Sequence, residues 1–123
     1  MHSRGFPNSF FFGPAQSGFT ATYTYSLDEQ SIHLAYILKK AKEQGATRIE
    51  ASEEAEEKWI NTIVEKARLT ATFQENCTPG YYNNEGKVNQ TPQNNTYGGG
   101  PIEFFSLMKK WRTKDNLEGL ELS

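Results

Sequence analysis

The fold is decided by residues 10–45, which read FFFGPAQSGFTATYTYSLDEQSIHLAYILKKAKEQG. Residues 10–12 form a short apolar run without alternation, which is typical of a β-strand covered on both faces. The glycines and proline of residues 13–18 then predict a tight loop. A long helix follows, because apolar residues recur at helical spacing; it begins within residues 20–24 and has Gly45 as its stop. A covered strand needs neighbours, and this chain supplies few of them.

The rest of the chain predicts two more helices and two brief strands. Residues 47–50 favour a strand, and Ser52 is typical of a helix N-cap because glutamates follow it in the first turn. Pro101 favours the first position of a third helix, and residues 117–122 favour a short edge strand. The predicted fold class is therefore α/β, and most of it is helical.

The segment 83–100 offers almost nothing apolar to bury. It contains five asparagines, and only Val88 and Tyr97 can anchor it. Its glycine run, residues 98–100, is typical of a flexible joint. Ordering a residue costs ~1.5 kcal/mol, whereas apolar burial returns about 25 cal/mol per Å². The rest of the chain must therefore stabilise whatever is ordered, and a lone domain of this composition should be only marginally stable.

Composition argues against several classes of protein. The net charge of −2 does not suit a nucleic-acid surface, and the one basic cluster, residues 109–114, favours a solvated helix face. No apolar stretch approaches the ~20 residues that cross a membrane. Because Cys77 is the only cysteine and the chain shows no signal peptide, we expect a reducing, cytoplasmic location. His2 and His33 are isolated from suitably spaced carboxylates, so no metal site is expected.

One stretch, residues 13–24, carries a chemical signal. A glycine and proline loop that leaves a strand and enters a helix places free N–H groups at the positive end of that helix. Such a site suits a partly negative ligand atom, including the carbonyl edge of a flavin ring. Many strand–helix joints look similar, so composition and spacing alone take the prediction no further.

Three motifs occur in order along the chain. They are residues 5–17, GFPNSFFFGPAQS, residues 77–87, CTPGYYNNEGK, and residues 98–105, GGGPIEFF. Together they resemble the C-terminal end of the Baeyer–Villiger monooxygenases, which use FAD and NADPH to insert one oxygen atom beside a ketone. The motifs are most similar to those of the branch that acts on bulky or large-ring ketones.

This resemblance implies a mostly helical fragment that forms the C-terminal portion of a Rossmann-like FAD-binding domain. Residues 1–76 would complete that domain, residues 77–100 would be a mobile loop that covers the cofactor, and residues 101–123 would form the closing helix and terminal strand. The family's two nucleotide-binding glycine loops precede this segment and are not found in these residues.

The resemblance also implies which residues form the site. Those implied to contact the flavin are Gly13, Pro14, Ser17, Thr22, Tyr23 and Thr24. Those implied to approach NADPH are Thr78, Pro79, Gly80 and Tyr81. The substrate side would be lined by Phe19 and Thr20. No residue is expected to act as a catalytic base or nucleophile, so the contribution of the chain would be positional.

Two functions from different classes remain open. In the first, the chain is part of a flavin-dependent monooxygenase that converts ketones to esters or lactones with NADPH and O2. The intact parent would hold FAD and NADPH, while the isolated chain would hold neither and be inactive. One version pairs the chain with a separately encoded N-terminal part. In the second, the chain is a non-enzymatic helical module that binds a partner protein, or a remnant pseudoenzyme.

Overall fold

The computed structural model describes residues 1–18, 20–67, 76, 78–80, 85–87 and 92–123 of the chain. Three helices and two short strands lie within these ranges, together with one 3₁₀ turn. In chain order they are helix α1 (Tyr23–Glu43), strand β1 (Ile49–Ala51), helix α2 (Glu53–Ala67), the 3₁₀ turn (Pro92–Asn94), helix α3 (Pro101–Lys114) and strand β2 (Leu120–Leu122). The predicted α/β, mostly helical fold is confirmed.

Helix α1 begins within the predicted window and ends just before Gly45. Gly45 adopts a φ of +70°, which lets the chain turn away from the helix. The backbone N–H of Gln44 donates to the carbonyl oxygens of Lys40 and Ala41, so the last turn closes on itself. Helix α2 begins after the predicted N-cap, and Ser52 Oγ accepts the N–H of Ala55 at 3.3 Å.

The two strands pair antiparallel, with Ile49 opposite Leu122 and Ala51 opposite Leu120. Asn8 covers the other edge of β1. Its backbone N–H donates to the Ile49 carbonyl at 2.9 Å, and its Oδ1 accepts the Ile49 N–H at 2.9 Å. Its Nδ2 donates to the Thr47 carbonyl at 3.0 Å. The segment at residues 5–8 thus pairs with the sheet by means of one asparagine.

The strand predicted at residues 10–12 is not present. These residues have no strand assignment, and the side chains of Phe11 and Phe12 are 57% and 42% exposed. The backbone N–H of Phe11 donates to the carbonyl of Met1 and to no strand. The prediction was wrong because an apolar run becomes a strand only where neighbouring strands accept its backbone, and the described part of this chain provides none.

Two clusters of buried side chains form the core. The first joins α2 to α3 and contains Ile63, Tyr97, Phe104, Phe105 and Met108. The second lies between α1 and the sheet and contains Ile37, Ala41, Ile49 and Leu117, with Trp111 of α3 packed against it. Helix α3 therefore contributes to both clusters and holds the two halves of the core together.

The glycine run before α3 is closely packed, which corrects the expectation of a flexible joint. A Cβ on Gly98 would lie 2.2 Å from the Lys66 carbonyl oxygen, and one on Gly99 would lie 2.6 Å from the Tyr97 ring. Side chains do not tolerate such distances. Glycine is required here because the backbone passes directly against the end of α2.

Substitution of Gly98 by alanine tests this packing. We expect Gly98→Ala to lower the free energy of unfolding by about 1–3 kcal/mol, because the new methyl must displace the Lys66 backbone. Gly80→Ala is the matched control, since the nearest neighbour of its added Cβ would be the Thr78 carbonyl oxygen at 3.9 Å. Urea denaturation of the three proteins measures the difference. Equal midpoints for Gly98→Ala and the parent chain would contradict the close approach.

Candidate functional site

The loop at residues 13–18 is held on three sides by other parts of the fold. On the side of α1, the buried polar side chains of Ser26 and Gln30 hydrogen-bond to its backbone. Within the loop, the Ser17 hydroxyl donates to the Gly13 carbonyl, and the Ser17 N–H donates to the Pro14 carbonyl at 3.2 Å. The predicted glycine and proline loop is therefore a rigidly bonded turn.

The second side of the loop is the segment that precedes α3. The backbone N–H of Gln16 donates to the Asn95 carbonyl at 2.8 Å, and its side-chain amide donates to the Gln93 carbonyl at 2.8 Å. The N–H of Tyr97 donates to the Ser17 carbonyl at 3.0 Å. Sequence reasoning did not pair these two segments, because neither has an apolar pattern that would bring them together.

The third side is the start of α3. A Cβ on Gly18 would lie 2.9 Å from Pro101 Cα and 3.0 Å from Phe104 Cβ. Only glycine permits this contact between the loop and the helix. The fold therefore brings two of the three sequence motifs side by side, since Gly18 directly follows the first motif and Pro101 lies in the third.

The N-terminus of α1 lies next to this loop and is open. Thr22 provides no side-chain cap, and the first turn of α1 contains no acidic residue. The side chains of Thr22, Tyr23 and Thr24 are exposed. Tyr23 reaches back toward Gly13, where its hydroxyl would lie 4.0 Å from an added Cβ. Uncapped N–H groups at a positive helix end attract partly negative ligand atoms.

The structure thus brings together Gly13, Pro14, Ser17 and Tyr23 from the flavin-binding prediction, with Thr22 and Thr24 at the helix entrance. Thr20, from the substrate-binding prediction, lies between loop and helix and donates its hydroxyl to the Thr22 carbonyl at 2.9 Å. Phe19 falls outside the described residues.

The predicted nicotinamide-binding residues lie in a turn of their own. Thr78 and Pro79 are exposed, and the Gly80 carbonyl accepts the N–H of Glu85 at 2.9 Å. Gly86 adopts a φ of +80° and packs against Pro79. Tyr81 lies outside the described residues. The assignment of this turn to the nicotinamide cofactor stays a prediction.

A charged cluster clamps α1 to α3. Glu29 is buried, accepts the Tyr25 hydroxyl at 3.3 Å, and lies 3.6 Å from Lys109 Nζ and 3.8 Å from Arg112 Nη2. The basic cluster at residues 109–114 was expected to be a solvated face; Lys109 is exposed as expected, whereas Arg112 is only 15% exposed, so for Arg112 the expectation was wrong. A buried carboxylate requires cationic partners, and the sequence gives no sign that Glu29 is buried.

His33 lies at the edge of this cluster and is half-buried. Its Nδ1 faces Arg112 Nη1 at 3.3 Å, so Nδ1 must be the hydrogen-bond acceptor of a neutral ring. The ring packs against Trp111 with a centroid distance of 4.9 Å. Burial, followed by the charge of Arg112, lowers the pKa of His33 from 6.5 to about 4.

A second polar cluster fixes the segment before α3. The Tyr97 hydroxyl donates to Glu103 Oε1, which Lys66 Nζ also approaches at 2.9 Å. The Tyr97 and Lys66 hydrogen bonds hold the pKa of Glu103 below its ordinary value, and burial raises that of Tyr97. The cluster links α2, Tyr97 and the first turn of α3.

The low pKa of His33 predicts a loss of stability in mild acid. Between pH 6.5 and about 4 the ring binds a proton only in the unfolded state, so stability falls as the pH falls through that window. At pH 5 the loss from His33 should reach about 2 kcal/mol, at ~1.4 kcal/mol per pH unit. His33→Phe keeps an aromatic ring that binds no proton. The free energy of unfolding of this variant should therefore fall by about 2 kcal/mol less than that of the parent chain between pH 7 and pH 5.

Urea denaturation at these two pH values measures the effect, and a comparison at pH 7 and pH 8, where the ring does not titrate, is the control. His2 also has its pKa lowered to about 4, chiefly by burial, so part of the acid sensitivity should survive in the variant. An unchanged pH dependence in His33→Phe would contradict the interpretation.

Comparison with known proteins finds similarity to monooxygenases, some of which are named as FAD-binding or Baeyer–Villiger enzymes. No protein-family model matches it. It is 45% identical over 123 residues to neopentalenolactone D synthase of Streptomyces avermitilis, covering 99% of this chain and 21% of that protein. A Baeyer–Villiger monooxygenase of Streptomyces coelicolor is 40% identical over 113 residues, covering 91% and 18%. An FAD-binding monooxygenase of Hypomyces subiculosus is 31% identical over 122 residues, covering 98% and 20%.

The same similarity is found in three dimensions. The polycyclic ketone monooxygenase from the fungus Thermothelomyces thermophila superposes with a TM-score of 0.87 at 30% identity, covering 99% of this chain and 20% of that one. The chain spans about a fifth of the length of the relatives it matches. The resemblance inferred from the three motifs is confirmed, and the chain corresponds along its whole length to a segment of the Baeyer–Villiger monooxygenases.

Proposed function

We propose that this chain is the C-terminal part of a flavin-dependent monooxygenase that inserts an oxygen atom beside a ketone. The observation that carries the proposal is the match of 91–99% of this chain to a segment that makes up about a fifth of each of these monooxygenases. In this proposal the loop at residues 13–18 and the N-terminus of α1 hold one edge of FAD, and a small-molecule ketone is the substrate.

The residues present fit a flavin edge. The first turn of α1 carries no acidic residue and no side-chain cap, so N–H groups at its start can donate to a ring carbonyl oxygen. An added Cβ at Gly13 would meet only the Tyr23 hydroxyl, at 4.0 Å, so the backbone is accessible to a flat ring. FAD, when bound, would pass electrons from NADPH to O2, and one oxygen atom of that O2 would enter the ketone while the other leaves as water. The residues of this chain bind and orient, and none acts as a general base.

NADPH belongs to the same proposal. The turn that contains Thr78, Pro79 and Gly80 would close over the nicotinamide and exclude water from the site. Its exposed side chains and the positive φ values of Glu85 and Gly86 suit a turn that approaches a ligand closely. Exclusion of water would strengthen the hydrogen bonds that orient the two cofactors.

The remaining four fifths of the parent would supply the nucleotide-binding loops. Several aromatic residues near the site are exposed, including Phe11, Phe12, Tyr23 and Tyr25. So many exposed aromatic side chains favour an interface in which another part of the protein covers them. The same residues would suit a non-enzymatic interaction module, and the two functions differ in whether the chain supports flavin binding.

A hybrid protein tests the proposal. In the Baeyer–Villiger monooxygenase of Streptomyces coelicolor, the matched segment would be replaced by this chain. We expect the hybrid to retain FAD through gel filtration and to consume O2 and NADPH when a ketone is supplied. The same host without the segment is the control. A soluble, folded hybrid that holds no flavin would contradict the proposal and favour the interaction module.

A charge at the α1 entrance tests the flavin edge specifically. Thr22→Asp should stabilise the isolated chain by about 0.3–1 kcal/mol, because a carboxylate caps the helix and suits its dipole. In the hybrid the same change should weaken FAD binding several-fold, because the carboxylate repels a partly negative ring carbonyl. Thermal melts and fluorescence titration with FAD give the two values, and Thr22→Ser is the uncharged control. Unchanged FAD affinity would place the flavin elsewhere.

A further inference from the structure

We propose that Gln30 of α1 is the positioning residue that fixes the backbone of the flavin-facing loop at residues 13–18. The identity of the ligand in this inference rests on the proposed function, whereas the geometry of Gln30 and the loop does not. Gln30 would not touch the flavin, since its side chain is fully buried beneath the loop. It would act through Gly13, the first residue of the loop.

The amide of Gln30 matches both backbone groups of one residue. Its Oε1 accepts the Gly13 N–H at 3.3 Å, and its Nε2 donates to the Gly13 carbonyl at 3.4 Å. A side-chain amide presents one acceptor and two donors in a plane, so it can satisfy both groups at once. Gly13 adopts a φ of +145°, which favours glycine at this position. A residue with this φ is not part of a regular helix or strand.

The same amide also orients the side chain that holds the other end of the loop. Gln30 Nε2 lies 3.4 Å from Ser26 Oγ, and Ser26 Oγ donates to the Gly18 carbonyl at 2.9 Å. Ser26 and Gln30 are four residues apart, so they lie on one face of α1. One buried helix face therefore fixes both ends of the loop, while Gln16 and Ser17 fix its middle on the segment before α3.

Burial makes this arrangement depend on a polar side chain that can accept the Gly13 N–H. A polar side chain that is fully buried must have hydrogen-bond partners, and in the described part of the chain those partners are Gly13 and Ser26. An apolar residue of equal size would fill the space and leave the Gly13 N–H without its acceptor, while the Gly13 carbonyl would keep only the Ser17 hydroxyl. The loop would then gain alternative conformations, although the helix packing would persist.

Hydrogen exchange on the full 123-residue chain tests the role without any flavin. Gln30→Met conserves volume and removes the amide, so the Gly13 N–H should exchange about tenfold faster. Gln30→Glu in its neutral acid form, which burial favours over the carboxylate, keeps an oxygen that accepts this N–H and should restore most of the protection. Gln44→Met, the same substitution at an exposed position after α1, is the control. If Gly13 exchanges at the parent rate in Gln30→Met, or if Gln30→Glu fails to restore it, the positioning role is overturned.

The second readout is the visible absorption band of FAD in the hybrid protein, which reports the surroundings of the ring. We expect the band to shift in Gln30→Met and to return in Gln30→Glu, with KM for the ketone nearly unchanged and kcat lowered. If Gly13 loosens while the band and kcat match the control, the loop does not position the flavin and this inference is overturned. A hybrid that binds no FAD contradicts the proposed function alone, since exchange still decides the role of Gln30.

Discussion

Close contact between glycine backbones and neighbouring elements is the constraint on which the structure depends. Gly18 meets the first turn of α3, and Gly98 meets the last turn of α2. These contacts bring the start of α3 between the site loop and α2 at distances that any side chain would prevent. The two core clusters, the hydrogen bonds to Asn95 and Tyr97, and the Glu29 clamp all require α3 in this position.

Tyr97 explains how a segment with so few apolar residues is held in place. Its ring is buried and stacks on Trp59 with an interplanar angle of 2°, and its hydroxyl donates to Glu103. Its N–H bonds the site loop at Ser17. Burial of one aromatic ring contributes several kcal/mol, enough to offset the ordering of only a few residues. The hydrogen bonds that the backbone and side chain of Gln16 donate must therefore help to stabilise residues 92–96. The position of this polar segment thus depends on the loop.

The helices could be predicted from the sequence because their signals are local. Apolar spacing, Ser52, Pro101 and Gly45 each act within a turn of the helix they begin or end. The prediction of a strand at residues 10–12 was wrong because a strand forms only beside neighbouring strands, and a local sequence pattern does not show whether these are present. The close packing at Gly98 was missed for a related reason, since three glycines in sequence suit both a joint and a tight contact.

The candidate site was predicted in part. The sequence placed Gly13, Pro14 and Ser17 in one loop before a long helix, and the structure confirms that placement, whereas their contact with a flavin stays a prediction. Gln30 and Ser26 were missed, since a buried polar residue within a helix has no distinguishing sequence pattern. Its burial follows from tertiary packing alone, as does that of Glu29.

Helices α1 and α2 differ at their N-termini, and the difference bears on function. Helix α2 begins with a Ser52 cap and three glutamates in its first turn, so its positive end is neutralised within the chain. Helix α1 begins with neither, although a cap would stabilise it by about 1 kcal/mol. Beside the open end of α1, buried amide and hydroxyl groups hold a loop whose backbone remains accessible at Gly13. A rigid loop next to an unneutralised helix end is the arrangement that orients a partly negative ligand atom, because neither group must reorganise when the ligand binds.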